Sequence, residues 1–400
     1  MFYPELISTG QVVTELFERL ADQLDIQVLC AQPTIVKSPI CPKFSSYMGI
    51  SIRRLWSTKL PKLILLGKLS NQLTYAFSVL ISTLRLPKGS NIIVFTDPFF
   101  LPLLFLILYP LRKFNYTVVL FDLYPGTLES NSIISKNGML SRMLALMYRR
   151  VYINSKNIIT IGRCMQKTVI QFIPNYKHKI HYIPIWCNND NFVHKGTGEN
   201  FPQSSKFRSK WGFDLDSFIV AYSGNLAKYH PIEDLVKTAK SLLHERKIQF
   251  LFIGEGSKKD LAMKYCESNN LSNCHFRTYV EREDLALVFS EFDCSLVCLN
   301  KSQTGNSVLS KTIGLMSAGI PIIALVSEET ETSMILKEHN CGLICPIDSP
   351  QLLSEKILQL YNDPKQCDKM SRNARSAVSE ILHIKYISKR FFNVINKHNF

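Results

Sequence analysis

Along the chain, short continuous apolar runs of strand length alternate with stretches of helical periodicity. In the first half the runs are Ile26 to Ala31 (IQVLCA), Asn91 to Thr96 (NIIVFT), Tyr116 to Phe121 (YTVVLF) and Asn157 to Ile161 (NIITI). In the second half they are Phe218 to Gly224 (FIVAYSG), Ile248 to Gly254 (IQFLFIG), Cys274 to Val280 (CHFRTYV), Cys294 to Leu299 (CSLVCL), Pro321 to Val326 (PIIALV) and Gly342 to Cys345 (GLIC). Unbroken apolar character, as opposed to alternation, belongs to strands covered on both faces, as in parallel sheets. Strands of this kind separated by helices predict two doubly wound, Rossmann-like α/β domains. The stretch from Asp190 to Ser209 is rich in Asn, Gly, Ser and Lys and reads as the connection between them. The expected layout is an N-terminal domain over 1–189, a linker over 190–209, a C-terminal domain over 210–380, and a last helix over 381–400 that packs back on the first domain.

The opening of the chain departs from this pattern. A doubly wound domain begins with a strand whose C-terminal end feeds a ligand-binding loop, yet loop-like FYPELISTGQ begins at Phe2 and helical periodicity follows from about Val12 to Gln23. The expectation is a truncated start, with the first strand of the N-terminal domain missing; the alternative is a sheet built without that strand. MFYPELISTG has neither a basic start nor an apolar run, so it does not read as a secretory signal. The run from Pro98 to Leu111 (PFFLPLLFLILYPL) is too short to span a bilayer and carries three prolines, so it reads as a buried or half-buried helix after a strand.

The length of 400 residues and a 46% apolar content exceed what one ordinary domain needs, and no tract suggests a fibrous or disordered protein. The net charge is +15, and its distribution is uneven. Residues 1–190 hold 21 Lys and Arg against 9 Asp and Glu, whereas residues 191–400 hold 26 against 23. A basic surface of this kind attracts phosphates, whether on lipid, nucleic acid or a phosphorylated substrate. The stretch from Ile50 to Ile81 interleaves Arg53, Arg54, Lys59, Lys62 and Lys68 with Leu55, Trp56, Leu60, Leu63 and Leu66. It is the expected contact of the N-terminal domain with an anionic membrane surface. The eleven cysteines are scattered without a Cys-x-x-Cys pair, which fits buried thiols in a reducing cytoplasm and neither a metal site nor a disulfide framework. Asp214 and Asp216 form an Asp-x-Asp, but they precede a strand and read as a turn.

Three strand-to-loop elements carry candidate chemistry. FIVAYSG runs into Asn225, Lys228 and His230, with Pro231 placed to open a helix. A glycine turn between strand and helix lets backbone N–H groups approach an anion, and Lys228 and His230 add charge. FIGEG places Gly254, Glu255 and Gly256 after the next strand, ahead of Lys258 and Lys259. The third glycine of a dinucleotide fingerprint is absent, which disfavours a nicotinamide cofactor. In the third element Ser310 is placed to cap a short helix that begins at Lys311 and closes at Gly319, an arrangement suited to a phosphate.

In order, FYPELISTGQ, VLFDLYP, ITIGRCMQ, YIPIW, YSGNLAKYHPIEDL, FIGEG, RTYVEREDLA, SKTIGLMSAGIPIIA and CGLI resemble the blocks of family 4 glycosyltransferases with the GT-B fold. The bacterial branch that builds O-antigen, capsule and exopolysaccharide is the most similar. The resemblance implies two Rossmann-like domains facing across a cleft. It also implies a retaining, metal-independent transfer of a hexose from a nucleotide-sugar, usually a UDP-sugar, with no further cofactor. By the family pattern Gly224, Asn225, Lys228 and His230 face the diphosphate, with Ser310 and Lys311 close to it. Gly254, Glu255 and Gly256 belong to the same donor site, and Tyr279 and Val280, ending a strand, border the base. Asp122 stands where relatives place an acceptor-side catalytic group, and it is otherwise a cap for the turn that follows. Thr9, Gly10 and Gln11 form the acceptor-side loop. Two departures weaken the donor-sugar assignment. Asn306 and Gly314 replace a pair of glutamates eight apart, leaving Glu331 as the candidate for a donor hydroxyl, and Leu309 replaces a proline before Ser-Lys.

The implied acceptor is lipid-linked or a growing glycan, reached from the inner face of the cytoplasmic membrane. Two competing readings are a nucleotide-sugar epimerase of the same fold and a basic nucleic-acid-binding protein. The latter is disfavoured because no aromatic stacking platform is present and the phosphate-directed elements lie in the less basic half.

Overall fold

The computed structural model describes residues 2–4, 9–33, 41–60, 65–187, 206–227 and 230–396. The chain divides into one unit over Met1–Trp186 with Ile384–Phe400 and a second over Cys187–His383. The linker expected over 190–209 lies outside the described residues up to 205, and residues 206–209 belong to a helix of the second unit.

In chain order the first unit runs α1 (Thr9–Leu20), β1 (Gln27–Cys30), β2 (Phe44–Tyr47), β3 (Ile50–Arg54), α2 (Leu65–Leu84), β4 (Asn91–Phe95), α3 (Phe105–Arg112), β5 (Asn115–Leu120), α4 (Gly126–Ser130), α5 (Met139–Asn154), β6 (Asn157–Thr160), α6 (Arg163–Phe172) and β7 (Ile180–Tyr182). Strands β4, β5, β6 and β7 form a parallel sheet in that order, and a separate sheet has the order β1-β3-β2. The central strand β5 is buried from Tyr116 to Leu120, as its unbroken Val-rich run requires. Helix α1 buries Val13, Leu16, Phe17 and Leu20, one face at helical spacing.

Two sequence expectations change here. The basic stretch from Ile50 to Ile81 is not one amphipathic element: its start is β3, antiparallel to β2 across a turn at Met48 and Gly49, both with positive φ. Arg54 is buried in it and donates to Ser45 Oγ (2.7 Å) and to the Tyr3 carbonyl (2.8 Å). That cation is tied to the protein interior, while Lys62 lies outside the described residues. Second, Thr9, Gly10 and Gln11 are the first turn of α1 and not a loop. Within the helix Thr14 Oγ1 donates to the Gly10 carbonyl (2.7 Å) and Gln11 Nε2 to Glu15 Oε1 (2.8 Å).

The second unit continues with α7 (Lys206–Trp211), β8 (Phe218–Ser223), α8 (Ile232–Ser241), β9 (Ile248–Ile253), α9 (Lys259–Ser268), β10 (Cys274–Arg277), α10 (Leu285–Ser290), β11 (Cys294–Cys298), α11 (Lys311–Ser317), β12 (Ile322–Leu325), α12 (Glu331–Glu338), β13 (Gly342–Cys345), α13 (Pro350–Asn362) and α14 (Pro364–Ala377). Its six strands pair in parallel in the order β10-β9-β8-β11-β12-β13. The order reverses between β8 and β11, so the C-terminal ends of these strands flank a switch point, where open α/β sheets take ligands. Val220, Phe250, Phe252, Leu296 and Ile323 of the sheet pack with Leu235 of α8 and Leu353 and Ile357 of α13. Arg208 of α7 is buried and meets Glu291 (3.3 Å) and Asp293 (2.9 Å), and it donates to the Ser217 carbonyl (2.7 Å). Asp214 and Asp216 sit in a turn, with Asp216 paired to Lys247 (2.8 Å). All eleven cysteines are free thiols.

The last helix, α15 (Ile384–Asn396), returns to the first unit. It buries Ile384, Ile387, Phe391 and Ile395, and the Phe391 ring meets Phe17 of α1 edge-on at 6.5 Å. Among the described residues no helix is long and apolar enough to cross a membrane.

Candidate functional site

At the end of β8 the chain turns at Gly224 (φ +144°), and at the end of β9 it turns at Gly254 (φ +144°) and Gly256 (φ +154°). These conformations favour glycine. Space imposes the same choice: a Cβ on Gly254 would run into the Gly224 carbonyl, and one on Gly256 into the Leu226 carbonyl. The two turns are laced together by Gly224 N–H to Ile253 O, Leu226 N–H to Glu255 O and Lys258 N–H to Leu226 O, each 2.9 Å.

Lys311, the first residue of α11, extends over this floor. Its Nζ lies 4.0 Å from the centre of the Tyr222 ring, and a Cβ placed on Gly224 would sit 3.3 Å from it. Tyr222 is buried, and its hydroxyl donates to the Asn225 carbonyl (2.9 Å), which fixes the ring under the cation. Burial lowers the Lys311 ammonium to about 8. No carboxylate pairs with it among the described residues. A half-desolvated ammonium on an aromatic face, beside glycine backbone, is suited to an anion brought from outside.

His230 is buried next to this group. Its Nδ1 lies 2.9 Å from the Cys298 carbonyl, which only accepts, so Nδ1 carries the proton. Burial first, and then the Lys311 charge, push the imidazole down to about 4. It is neutral at pH 7, and an arriving phosphate favours its charged form.

The structure therefore brings together Gly224, Asn225, His230, Gly254, Glu255, Gly256 and Lys311. Lys228 lies outside the described residues. Lys258 and Lys259 are already engaged: Lys258 Nζ donates to Glu233 (2.7 Å) and to the His230 carbonyl (2.8 Å), and Lys259 holds Glu255 (2.7 Å). Ser310 does occupy the N-cap position, but its own φ/ψ are helical and its hydroxyl makes no capping bond. Tyr279 and Val280 do not end a strand. β10 stops at Arg277, and the Tyr279 side chain is exposed. Glu331 is buried as the first residue of α12, after β12, at the same C-terminal edge of the sheet. Tyr222 and the Cys298 carbonyl were not legible as site groups. The one available signal for Tyr222 was an aromatic residue two positions before the glycine turn. Among the described residues no cluster of three His, Cys, Asp or Glu is placed to hold a metal ion.

Asp122 belongs to the first unit, two residues beyond β5. Thr96 Oγ1 accepts the Phe121 and Asp122 N–H groups (3.0 and 3.2 Å) and sets the direction of this turn. Burial, with Asp97 as the second cause, raises the Asp122 carboxyl to about 6. In the turn that follows, Thr127 Oγ1 donates to the Leu123 carbonyl (2.9 Å), and the N-cap of α4 is Pro125 with no side-chain bond, so Asp122 does not cap that helix.

Residues 203–377 match the family model of glycosyl transferases group 1. The chain is 24% identical over 284 residues to a probable glycosyltransferase, WbjE, of Pseudomonas aeruginosa, a match that spans 71% of this chain and 68% of that protein. Among solved structures, sucrose-phosphate synthase from Thermosynechococcus elongatus superposes with a TM-score of 0.73 at 16% identity, over 97% of this chain and 92% of that one. Anabaena HepE, solved in complex with UDP and glucose, gives a TM-score of 0.70 at 12% identity, over 100% and 98%. The fold is GT-B, and residues 203–377 are similar to the glycosyl transferases group 1 family. These matches support glycosyltransferase activity and favour neither the epimerase nor the nucleic-acid-binding reading.

Proposed function

We propose that the protein is a retaining, metal-independent hexosyltransferase that moves a sugar from a UDP-sugar to a lipid-linked or growing glycan acceptor in cell-surface polysaccharide synthesis. The observation that carries this reading is Lys311: an ammonium held on Tyr222, against the Gly224 turn, with no carboxylate partner among the described residues. In the proposed complex its charge meets the diphosphate of the donor. As the bond from the anomeric carbon to the diphosphate breaks, negative charge grows on the leaving oxygen, and the Lys311 ammonium stabilises it. His230 supplies a second donor once the diphosphate has raised its affinity for a proton. Glu331 is the proposed partner of a donor hydroxyl, and Lys228 and Ser310 complete the diphosphate set. Asp122, poised near neutrality, orients the acceptor hydroxyl as a carboxylate. That Anabaena HepE was solved with UDP supports UDP as the nucleotide.

The same reading places the enzyme on the inner face of the cytoplasmic membrane through the first unit. Helix α5 supports this. Its inward face buries Leu144, Tyr148, Val151 and Tyr152, whereas Met139, Leu140, Met143 and Leu146 are exposed beside Arg142, Arg149 and Arg150. An outward apolar stripe edged by arginines and free of acidic residues suits an anionic headgroup layer.

The test is a donor screen on purified protein with UDP-, GDP- and dTDP-sugars, reading thermal protection and nucleotide release. UDP-sugars should give both signals, and Lys311→Ala should lose both. Signals that survive in Lys311→Ala would overturn the assignment.

A further inference from the structure

Two carboxylates of the first unit stand together without a cation. Asp97 follows Thr96 at the end of β4, and the Thr96 hydroxyl accepts the N–H groups of Phe121 and Asp122 beyond β5, so both side chains leave the ends of two paired strands. Both residues are half-buried, and Asp97 stands near enough to be the second cause of the raised Asp122 carboxyl. Residues 1–190 carry 21 Lys and Arg, yet among the described residues no cation pairs with either aspartate.

Phenols and aromatic rings surround the pair. The Tyr75 phenol is enclosed by protein and is held protonated by that burial first, then by Cys30 and Asp97. Tyr124 is held protonated by burial, then by Asp122 and Asp97. Neither hydroxyl has a hydrogen-bond partner among the described residues. Ring centres link Tyr75 to Phe100 (6.5 Å), Phe100 to Phe99 (5.9 Å) and Phe99 to Tyr124 (5.6 Å). Tyr75, Asp97 and Phe100 line one cavity of this unit, so the group is open to a ligand. An enclosed phenol left without a partner costs free energy until something from outside the chain bonds to it.

We propose that Asp97 and Asp122 together read two hydroxyls of the acceptor, that the acceptor ends in a neutral sugar, and that Asp97 is the residue that keeps a phosphate or a uronic acid out of this place. The inference rests on the glycosyl transfer proposed above and narrows its acceptor. Ionised carboxylates only accept hydrogen bonds, and a sugar presents hydroxyl donors on a ring whose C–H face suits aromatic side chains. A phosphate or a uronate brings negative charge to the same point, and two half-buried aspartates repel it. Tyr75 and Tyr124, as donors, take the ring oxygen or a further hydroxyl. The enzyme therefore extends a glycan. The reaction that supplies its acceptor is an earlier glycosyl transfer, not a step that leaves a lipid ending in phosphate.

Saturation-transfer NMR titration of the full chain tests this without turnover. The probes are methyl glucoside, methyl galactoside, methyl mannoside, methyl glucuronide and farnesyl phosphate. At least one neutral glycoside should bind, and the glucuronide and farnesyl phosphate should bind at least about tenfold more weakly. Asp97→Asn should weaken the neutral glycoside about tenfold and shrink its advantage over the glucuronide, a change of charge preference that a merely structural role would not produce. Tyr124→Phe should weaken neutral glycosides while the charge preference stays. The proposal is overturned if no neutral glycoside binds, if the glucuronide or farnesyl phosphate binds as well as the best of them, or if Asp97→Asn leaves the preference unmoved. Thermal protection by UDP in the same samples separates the two readings. Where UDP protects the parent and not Lys311→Ala, an adverse glycoside result removes the acceptor inference alone; absence of UDP protection in the parent counts against the transferase reading itself.

Discussion

Lys311 Nζ rests 4.0 Å from the centre of the Tyr222 ring, and the hydroxyl of that ring is anchored on the Asn225 carbonyl. The cation is thus partly dehydrated and fixed in direction before any ligand arrives. Its affinity for a proton has dropped to about 8 as a result. Only the charged form binds a diphosphate well. UDP affinity should therefore fall up to tenfold per pH unit above pH 8, as calorimetry can follow. Lys311→Met should remove this dependence. Because the folded value lies below the unfolded one of 10.5, the charged lysine costs stability below pH 8, and that cost fades as pH rises towards 10.5. The ligand-free Met variant should accordingly melt at least as high as the parent at pH 7.

Turnover should follow a bell in pH. The acid limb belongs to Asp122, which must lose a proton with an affinity near 6, and the basic limb to Lys311 near 8. Asp97 is the second cause of the Asp122 shift, so Asp97→Asn should move the acid limb to lower pH and leave the basic limb in place. An acid limb unmoved by both Asp97→Asn and Asp122→Asn would detach Asp122 from the reaction.

Gly254→Ala should be among the most damaging small substitutions in the second unit. The φ of +144° costs about 1–3 kcal/mol for a residue with a Cβ, and the new methyl overlaps the Gly224 carbonyl. Urea unfolding should show a loss of at least that size together with loss of UDP binding. Gly314→Ala is the contrast: it lies inside α11 with open space around its Cβ, and should gain about 0.5–1 kcal/mol.

Arg208→Met leaves Glu291 buried, and Asp293 largely so, without their cation. Breaking a buried ion cluster from one side costs about 3–5 kcal/mol, which denaturant unfolding of the second unit should register.

The strand pattern was largely legible in the residues. Ten apolar runs correspond to β1, β4, β5, β6 and β8–β13, because a strand covered on both faces must be apolar throughout. β2, β3 and β7 were not, since FSSY and ISIRR alternate with polar residues and IHY is only three residues long. The glycine turns and Lys311 were legible from their place after strands. The exposed stripe of α5 was not, because Met139, Met143 and Leu146 share a helix with a buried apolar face, and periodicity alone does not say which apolar side is covered.

That stripe makes a separate prediction. Flotation with vesicles of phosphatidylglycerol and phosphatidylcholine should carry the protein up, and pure phosphatidylcholine should carry far less. Met143→Glu with Leu146→Glu should abolish flotation while leaving UDP binding intact. Undiminished flotation would remove α5 from the membrane account.

The most direct measurement is a crystal structure of the protein with UDP. The diphosphate should lie within hydrogen-bonding distance of Lys311 Nζ, about 3 Å, over the turns at Gly224 and Gly254. A nucleotide bound elsewhere, with Lys311 still resting on Tyr222 and touching no phosphate oxygen, would contradict the account.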